Sequence, residues 1–262
     1  MSNESQRPLS GWISRPRPNP QAIMRLFCFP YAGGSALIYR QWPDLLPANI
    51  EVCHVNLPGR GNRLHEPAFT DVPTLVEAAT EAITAYTDKP FAFFGHSMGA
   101  LISFELARSL RRKNLPQPSY IFISGRMAPQ FNKEDPPTYD LPDEQFVEEI
   151  RRLNGTPREV LDNPELMRLM APLLRADFSV CQTYNYTTEE PLDCPMTAFG
   201  GLQDYEVTRE TLDGWREHTS GPFRLRMLQG DHFFINSATH VILGAVAQEL
   251  YQFAEQSLAC TR

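Results

Sequence analysis

Pro90-Phe91-Ala92-Phe93-Phe94-Gly95-His96-Ser97-Met98-Gly99 decides the fold of this chain, because it joins a run that reads as a buried strand to a serine between two glycines. A G-x-S-x-G at the end of such a strand fits a nucleophile elbow, where the backbone turns sharply into a helix and holds one hydroxyl at an exposed, strained tip. The glycines allow a close backbone approach that a Cβ would block. Beyond the serine, Ala100-Leu101-Ile102-Ser103-Phe104-Glu105-Leu106-Ala107 has the apolar spacing of a helix packed along a sheet. Its N-terminal amides would point toward an oxyanion. A bare G-x-S-x-G also occurs in ordinary glycine-rich turns; the strand before it and the helix after it favour the catalytic reading.

Outward from the elbow, apolar runs at 24–29, 50–55, 119–124, 196–200 and 223–228 predict further strands. Helical spacing at 72–86, behind Asp71 as N-cap, and at 238–254 predicts helices between and after them. Apolar strands alternating with helices argue for an α/β fold with a mostly parallel sheet covered on both faces. Residues 1–22 are polar and proline-rich and read as a flexible arm, leaving 23–262 as one domain. Residues 126–194 interrupt the alternation with prolines and helical patterns, including a helix start at Asn163-Pro164. An insertion there would sit above the C-terminal edge of the sheet, where α/β proteins bind ligands. It is expected to be a helical lid, the alternative being a mere thickening of the core.

The net charge of −7 and pI near 5.4 make nucleic acid a poor partner, since such binding rests on phosphate neutralisation. Arg108, Arg111, Arg112 and Lys113 read as charges complementing a helix C-terminus. Five irregularly spaced cysteines argue against a disulfide framework, and no metal spacing is present. No secretory signal and no bilayer-length apolar run are seen, so a cytoplasmic protein is expected.

A serine hydroxyl needs a base, and the base needs a third group to hold it. In α/β-hydrolase order the acid and then the histidine follow the nucleophile. Of six histidines, His54 lies in a strand, His96 sits inside the elbow pointing away from Ser97, His65 and His218 precede the last strand, and His240 belongs to the final helix. His232, in Gly230-Asp231-His232-Phe233-Phe234, follows that strand at the edge the elbow occupies and is the candidate base. Asp204 follows the strand at 196–200 and is the candidate acid, ahead of Asp231, Asp193 and Asp177. Oxyanion donors are expected from the Met98 amide and from the Ala32 amide in Pro30-Tyr31-Ala32-Gly33-Gly34-Ser35-Ala36. A glycine-rich loop can also hold phosphate; this one lacks the Gly-Lys-Ser/Thr ending of a P-loop.

Together with the stretches 29–36, 95–100 and 230–233, Leu57-Pro58-Gly59-Arg60-Gly61-Asn62-Arg63-Leu64-His65-Glu66-Pro67 and Leu173-Leu174-Arg175-Ala176-Asp177 resemble the stand-alone type II thioesterases of polyketide and nonribosomal peptide synthesis. The likeness runs from about residue 24 to the last helix. Tyr31 stands where many members of that family carry histidine, at a position expected to act through its backbone.

The resemblance implies an α/β-hydrolase fold with a helical lid. It also implies release of acyl groups from the phosphopantetheine arm of a carrier protein. A start at Met1 with no flanking synthase module suggests a protein acting in trans, and a monomer with no resident cofactor is expected. The resemblance carries Ser97, His232 and Asp204 over as the triad, and gives Arg60, Arg63 and Glu66 an importance best read as an ion pair fixing a loop. Arg126 and Arg108 are expected to contribute a basic rim for an acidic carrier. The competing functions are a carboxylesterase for small oxygen esters and a hydrolase-like binding protein without chemistry.

Overall fold

The computed structural model describes residues 11–131, 136–153, 155–156 and 158–260. Seven strands form one sheet: β1 (Ile13–Ser14), β2 (Met24–Phe29), β3 (Ile50–Val55), β4 (Phe91–His96), β5 (Tyr120–Ser124), β6 (Met196–Gly201) and β7 (Phe223–Leu228), in the order β1-β3-β2-β4-β5-β6-β7. All neighbours pair in parallel except β1, which runs antiparallel to β3.

The central strands are buried on both faces, which is why they read as unbroken apolar runs. Their side chains alternate across the sheet. Phe27, Phe29, Phe91, Phe93, Ile121 and Ile123 enter one core, under α2 (Val72–Thr84) and α3 (Met98–Arg112). Leu26, Cys28, Ala92, Phe94, Tyr120 and Phe122 enter the other, under α1 (Trp42–Leu45) and the last helix. Asp71 caps α2 as its sequence predicts, its Oδ1 accepting from the Thr74 amide at 2.9 Å.

Between β5 and β6 the chain inserts α4 (Asp143–Arg152), α5 (Arg158–Leu161) and α6 (Pro164–Gln182), which share a small core of Phe146, Ile150, Leu161, Met167 and Leu174. The Asn163 side chain caps α6 by accepting from the Glu165 and Leu166 amides, with Pro164 at the first helical position. After β6 come α7 (Arg209–Asp213), and after β7 come α8 (Phe234–Ser237) and α9 (Thr239–Cys260).

The expected flexible arm is corrected over part of its length. Trp12 is 1% exposed, Ile13–Ser14 pairs with β3, and Arg63 lies over the Trp12 ring at 4.6 Å. A two-residue strand is too short to leave a period in the sequence. Residues 1–10 of that arm lie outside the described residues.

Strand order creates the site. From β2 the chain moves outward to β3, then crosses back over β2 to β4 and continues the other way. The reversal leaves a crevice at the C-terminal ends of β2 and β4, the place where open α/β sheets bind ligands. In register, Phe29 lies beside Gly95, so the turn after β2 and the elbow after β4 flank that crevice.

Candidate active site

Ser97 sits at the tip between β4 and α3 with φ 54° and ψ −113°, one of two non-glycine residues with positive φ among those described. Such a conformation costs on the order of 1–3 kcal/mol and persists only where the surroundings enforce it. The surroundings do so through glycines. A Cβ on Gly95 would collide with the backbone of Gly99, and a Cβ on Gly99 with the carbonyl of Phe29 in β2. The Ser97 amide is held by the Ser124 carbonyl at 2.7 Å. Among the described residues, neither the Met98 nor the Ala32 amide donates to a protein acceptor. The Met98 amide is one of the unpaired donors at a helix start.

His232 and Asp204 meet as their positions in the sequence predict. Asp204, 8% exposed, accepts from His232 Nδ1 at 2.7 Å through Oδ2, while its Oδ1 accepts from the Glu206 and Val207 amides. That arrangement leaves His232 Nε2 as the acceptor nitrogen. The two loops are zipped together by the Gln203 amide donating to the Gly230 carbonyl and the Gly230 amide donating to Gln203 Oε1. Ser97, Asp204 and His232 line one cavity of about 440 Å3 with Ala32. Among the described residues no hydrogen bond joins Ser97 Oγ to the imidazole. Such bonds are often long without substrate and tighten when it binds.

His96, set aside as a base, has a place of its own. Its Nε2–H donates to the His232 carbonyl at 3.0 Å, and its Nδ1 accepts from the Ser124 hydroxyl at 2.8 Å. Burial, helped by the neighbouring His232 ring, holds its pKa well below the usual histidine range, so it is a neutral strut. The signal for this was its position beside the serine; its partners lie 28 and 136 residues away.

The insertion lines the cavity with Ile150, Leu153, Leu174, Phe178 and Cys181, beside the polar Arg152, Thr156 and Gln182. No cluster of His, Cys, Asp and Glu that could hold a metal occurs among the described residues. Arg63 pairs with Glu66 as the expected loop-fixing ion pair. Arg60 does something else, gripping Asp177 of α6 through two bonds of 2.8 and 2.7 Å. Arg108 is corrected as a rim residue. It is 3% exposed and bound to Glu105, Glu189 and the Thr187 carbonyl, because its helix faces the 187–191 segment rather than solvent. Arg126 lines the cavity itself.

The thioesterase-domain family profile matches residues 24–250. The chain belongs to that family. A relative from Aneurinibacillus migulanus, "Gramicidin S biosynthesis protein GrsT", is 47% identical over 91% of this thioesterase and 93% of its own length. One from Brevibacillus parabrevis, "Linear gramicidin dehydrogenase LgrE", is 45% identical over 93% and 94%. The dinucleotide fingerprint G-x-G-x-x-G is absent from this thioesterase, whose single G-x-G, Gly59-Arg60-Gly61, runs on into Asn62-Arg63-Leu64. Among solved structures, the type II thioesterase BorB from the borrelidin biosynthetic cluster superposes with a TM-score of 0.83 at 36% identity, covering 91% of this chain and 97% of that one. No described helix is long and apolar enough to cross a membrane.

Proposed function

We propose that this thioesterase is a stand-alone editing enzyme that frees acyl or peptidyl groups from the phosphopantetheine arm of carrier proteins in polyketide or nonribosomal peptide assembly. The observation that carries the reading is the junction of Asp204 with His232 Nδ1 in the same cavity as Ser97, inside a thioesterase-family fold. The biosynthetic names of GrsT and BorB support the setting.

In this mechanism His232 Nε2 takes the proton from Ser97 Oγ as the oxygen adds to the thioester carbonyl. The resulting oxyanion lies between the Ala32 and Met98 amides, which have no protein acceptor to release first. Collapse breaks the C–S bond, and the thiolate leaves and takes the proton back from the imidazolium. Water, deprotonated by His232, then adds to the acyl-serine; breaking its C–O bond restores Ser97 and yields a carboxylic acid. Asp204 holds the Nδ1–H tautomer throughout. The insertion serves as the lid, with Leu174 and Phe178 forming the wall against which the acyl chain lies.

The test is an acylated carrier protein incubated with wild type and with Ser97→Ala, read by the intact mass of the freed arm. Wild type restores the free thiol and Ser97→Ala does not. A matched oxygen ester consumed faster than the thioester would replace this reading by a carboxylesterase, and failure of a fluorophosphonate to label Ser97 would leave a binding protein.

A further inference from the structure

Two motifs whose charged residues have no role in the chemistry, Pro58-Gly59-Arg60 and Leu173-Leu174-Arg175-Ala176-Asp177, meet behind the turn that carries Ala32. That turn is Tyr31–Gly34, closed by the Gly34 amide on the Tyr31 carbonyl at 2.9 Å. Gly33 has φ +73° while Ala32 is not among the positive-φ residues, which makes it a type II turn. Its central N–H, on Gly33, donates to Asp177 Oδ2 at 2.7 Å. The same carboxylate takes both arms of Arg60, whose Nη1 also donates to the Gly34 carbonyl at 3.2 Å. Arg60 and Asp177 are 6% and 1% exposed. One buried pair thus grips the turn on both sides of Gly33, and a Cβ on Gly33 would press on the end of the Leu174 side chain.

We infer that Asp177, oriented by Arg60, is a positioning residue that sets the oxyanion turn and thereby acts on turnover rather than on substrate affinity. The carboxylate fixes the direction of the Ala32–Gly33 peptide, because the flipped, type I form would turn a carbonyl oxygen toward it, and so holds the Ala32 backbone, whose own N–H lies in the preceding Tyr31–Ala32 peptide. It also ties the turn to two other elements, since Asp177 belongs to α6 and Arg60 to the loop after β3. An oxyanion donor is effective only when it is aimed before charge develops. Leu174 and Phe178, which line the acyl wall, lie within one turn of Asp177 on the same helix, so one element carries both chain recognition and the clamp.

The inference rests on the reading of Ala32 as an oxyanion donor, and the experiment separates the two. Full-length wild type, Asp177→Asn and Arg60→Lys are compared for hydrolysis of octanoyl-N-acetylcysteamine, for inhibition by an alkyl trifluoromethyl ketone, and for affinity toward octanoate. The ketone adds the serine oxygen and places an oxyanion in the same site; octanoate reports ground-state binding alone. Asp177→Asn is expected to lower kcat about 30-fold or more and to weaken the ketone by a similar factor, with KM and octanoate affinity within about threefold. Glu66→Gln, which breaks the other ion pair of the same loop, is expected to leave kcat within about twofold. The Gly33 amide is expected to exchange slowly with deuterium in wild type, where Asp177 holds it, and fast in Asp177→Asn.

Should Asp177→Asn fail to fold, Arg60→Lys, which removes one arm of the fork, carries the same expectation with a smaller loss. Unchanged kcat in a folded variant, or parallel losses in kcat, ketone and octanoate binding, overturns the inference. Wild-type hydrolysis that survives Ser97→Ala overturns the serine reading and this inference with it.

Discussion

His96 Nε2 donates to the main-chain carbonyl of His232 at 3.0 Å, so the elbow that presents the serine also holds the loop that presents the imidazole. The same ring accepts from Ser124 at the end of the next strand. Replacing His96 by Phe would leave a buried hydroxyl and a carbonyl without partners, at a cost of about 1–3 kcal/mol for each. Urea unfolding is expected to show their combined loss, about 2–6 kcal/mol. Thioester turnover is expected to fall by about tenfold or more as the His232 loop loosens. His96→Gln, whose amide can offer both a donor and an acceptor, should recover part of both.

Buried histidines make stability sensitive to acid. Burial, with a contribution from Arg108, lowers the His218 pKa to about 4; burial also lowers His54, and His96 well below its ordinary value. In each case the unfolded chain takes up the proton first, near pH 6.5. Stability is therefore complete above that pH and drains as the pH falls from about 6.5 toward the folded values. For His218 the full shift corresponds to about 3 kcal/mol at roughly 1.4 kcal/mol per unit. Urea midpoints are expected to hold nearly level from pH 7.5 to about 6.5 and to drop from there to 4.5, and His218→Gln is expected to flatten that drop by close to one proton.

Ser97 occupies backbone that suits glycine, with φ 54° and ψ −113°. Ser97→Gly is expected to abolish hydrolysis while raising stability by up to about 1 kcal/mol, the relief of strain being offset in part by the freer unfolded chain. A thermal melt beside a thioester assay checks both halves.

Gly99 and Gly244 lie in helices and respond in opposite ways to alanine. At Gly99 the new Cβ meets the Phe29 carbonyl, backbone that cannot move without displacing β2 from the elbow. Gly99→Ala is expected to cost about 3 kcal/mol and most of the activity. Gly244 is exposed in α9 with no atom near its added Cβ. Gly244→Ala is expected to gain about 0.8 kcal/mol from helix propensity alone, with activity unchanged. Melting curves of the two variants decide this.

Much of the active site could be read locally. The elbow is a contiguous signal, since strand, glycines, serine and helix are adjacent in the chain. Asp204 and His232 were found because each follows its own strand, and in a parallel sheet those ends share an edge. Arg108 was misread because a cation in the last turns of a helix looks the same on paper whether it meets solvent or Glu105 and Glu189. The role of His96 was hidden for a related reason: both of its partners are brought in by other strands.

By itself the amino-acid sequence determined the alternation of buried strands and helices, the elbow, and the three residues that carry the proposed chemistry, because each depends on neighbours within a few positions. Only the tertiary structure decided that β2 lies between β3 and β4, which opens the crevice beside Ser97. It alone decided, too, that Arg60 pairs with Asp177 instead of a residue in its own loop. Those outcomes come from how the sheet orders its strands and how the insertion folds back over them. They bind positions 117 residues apart, a separation across which local periodicity carries no information.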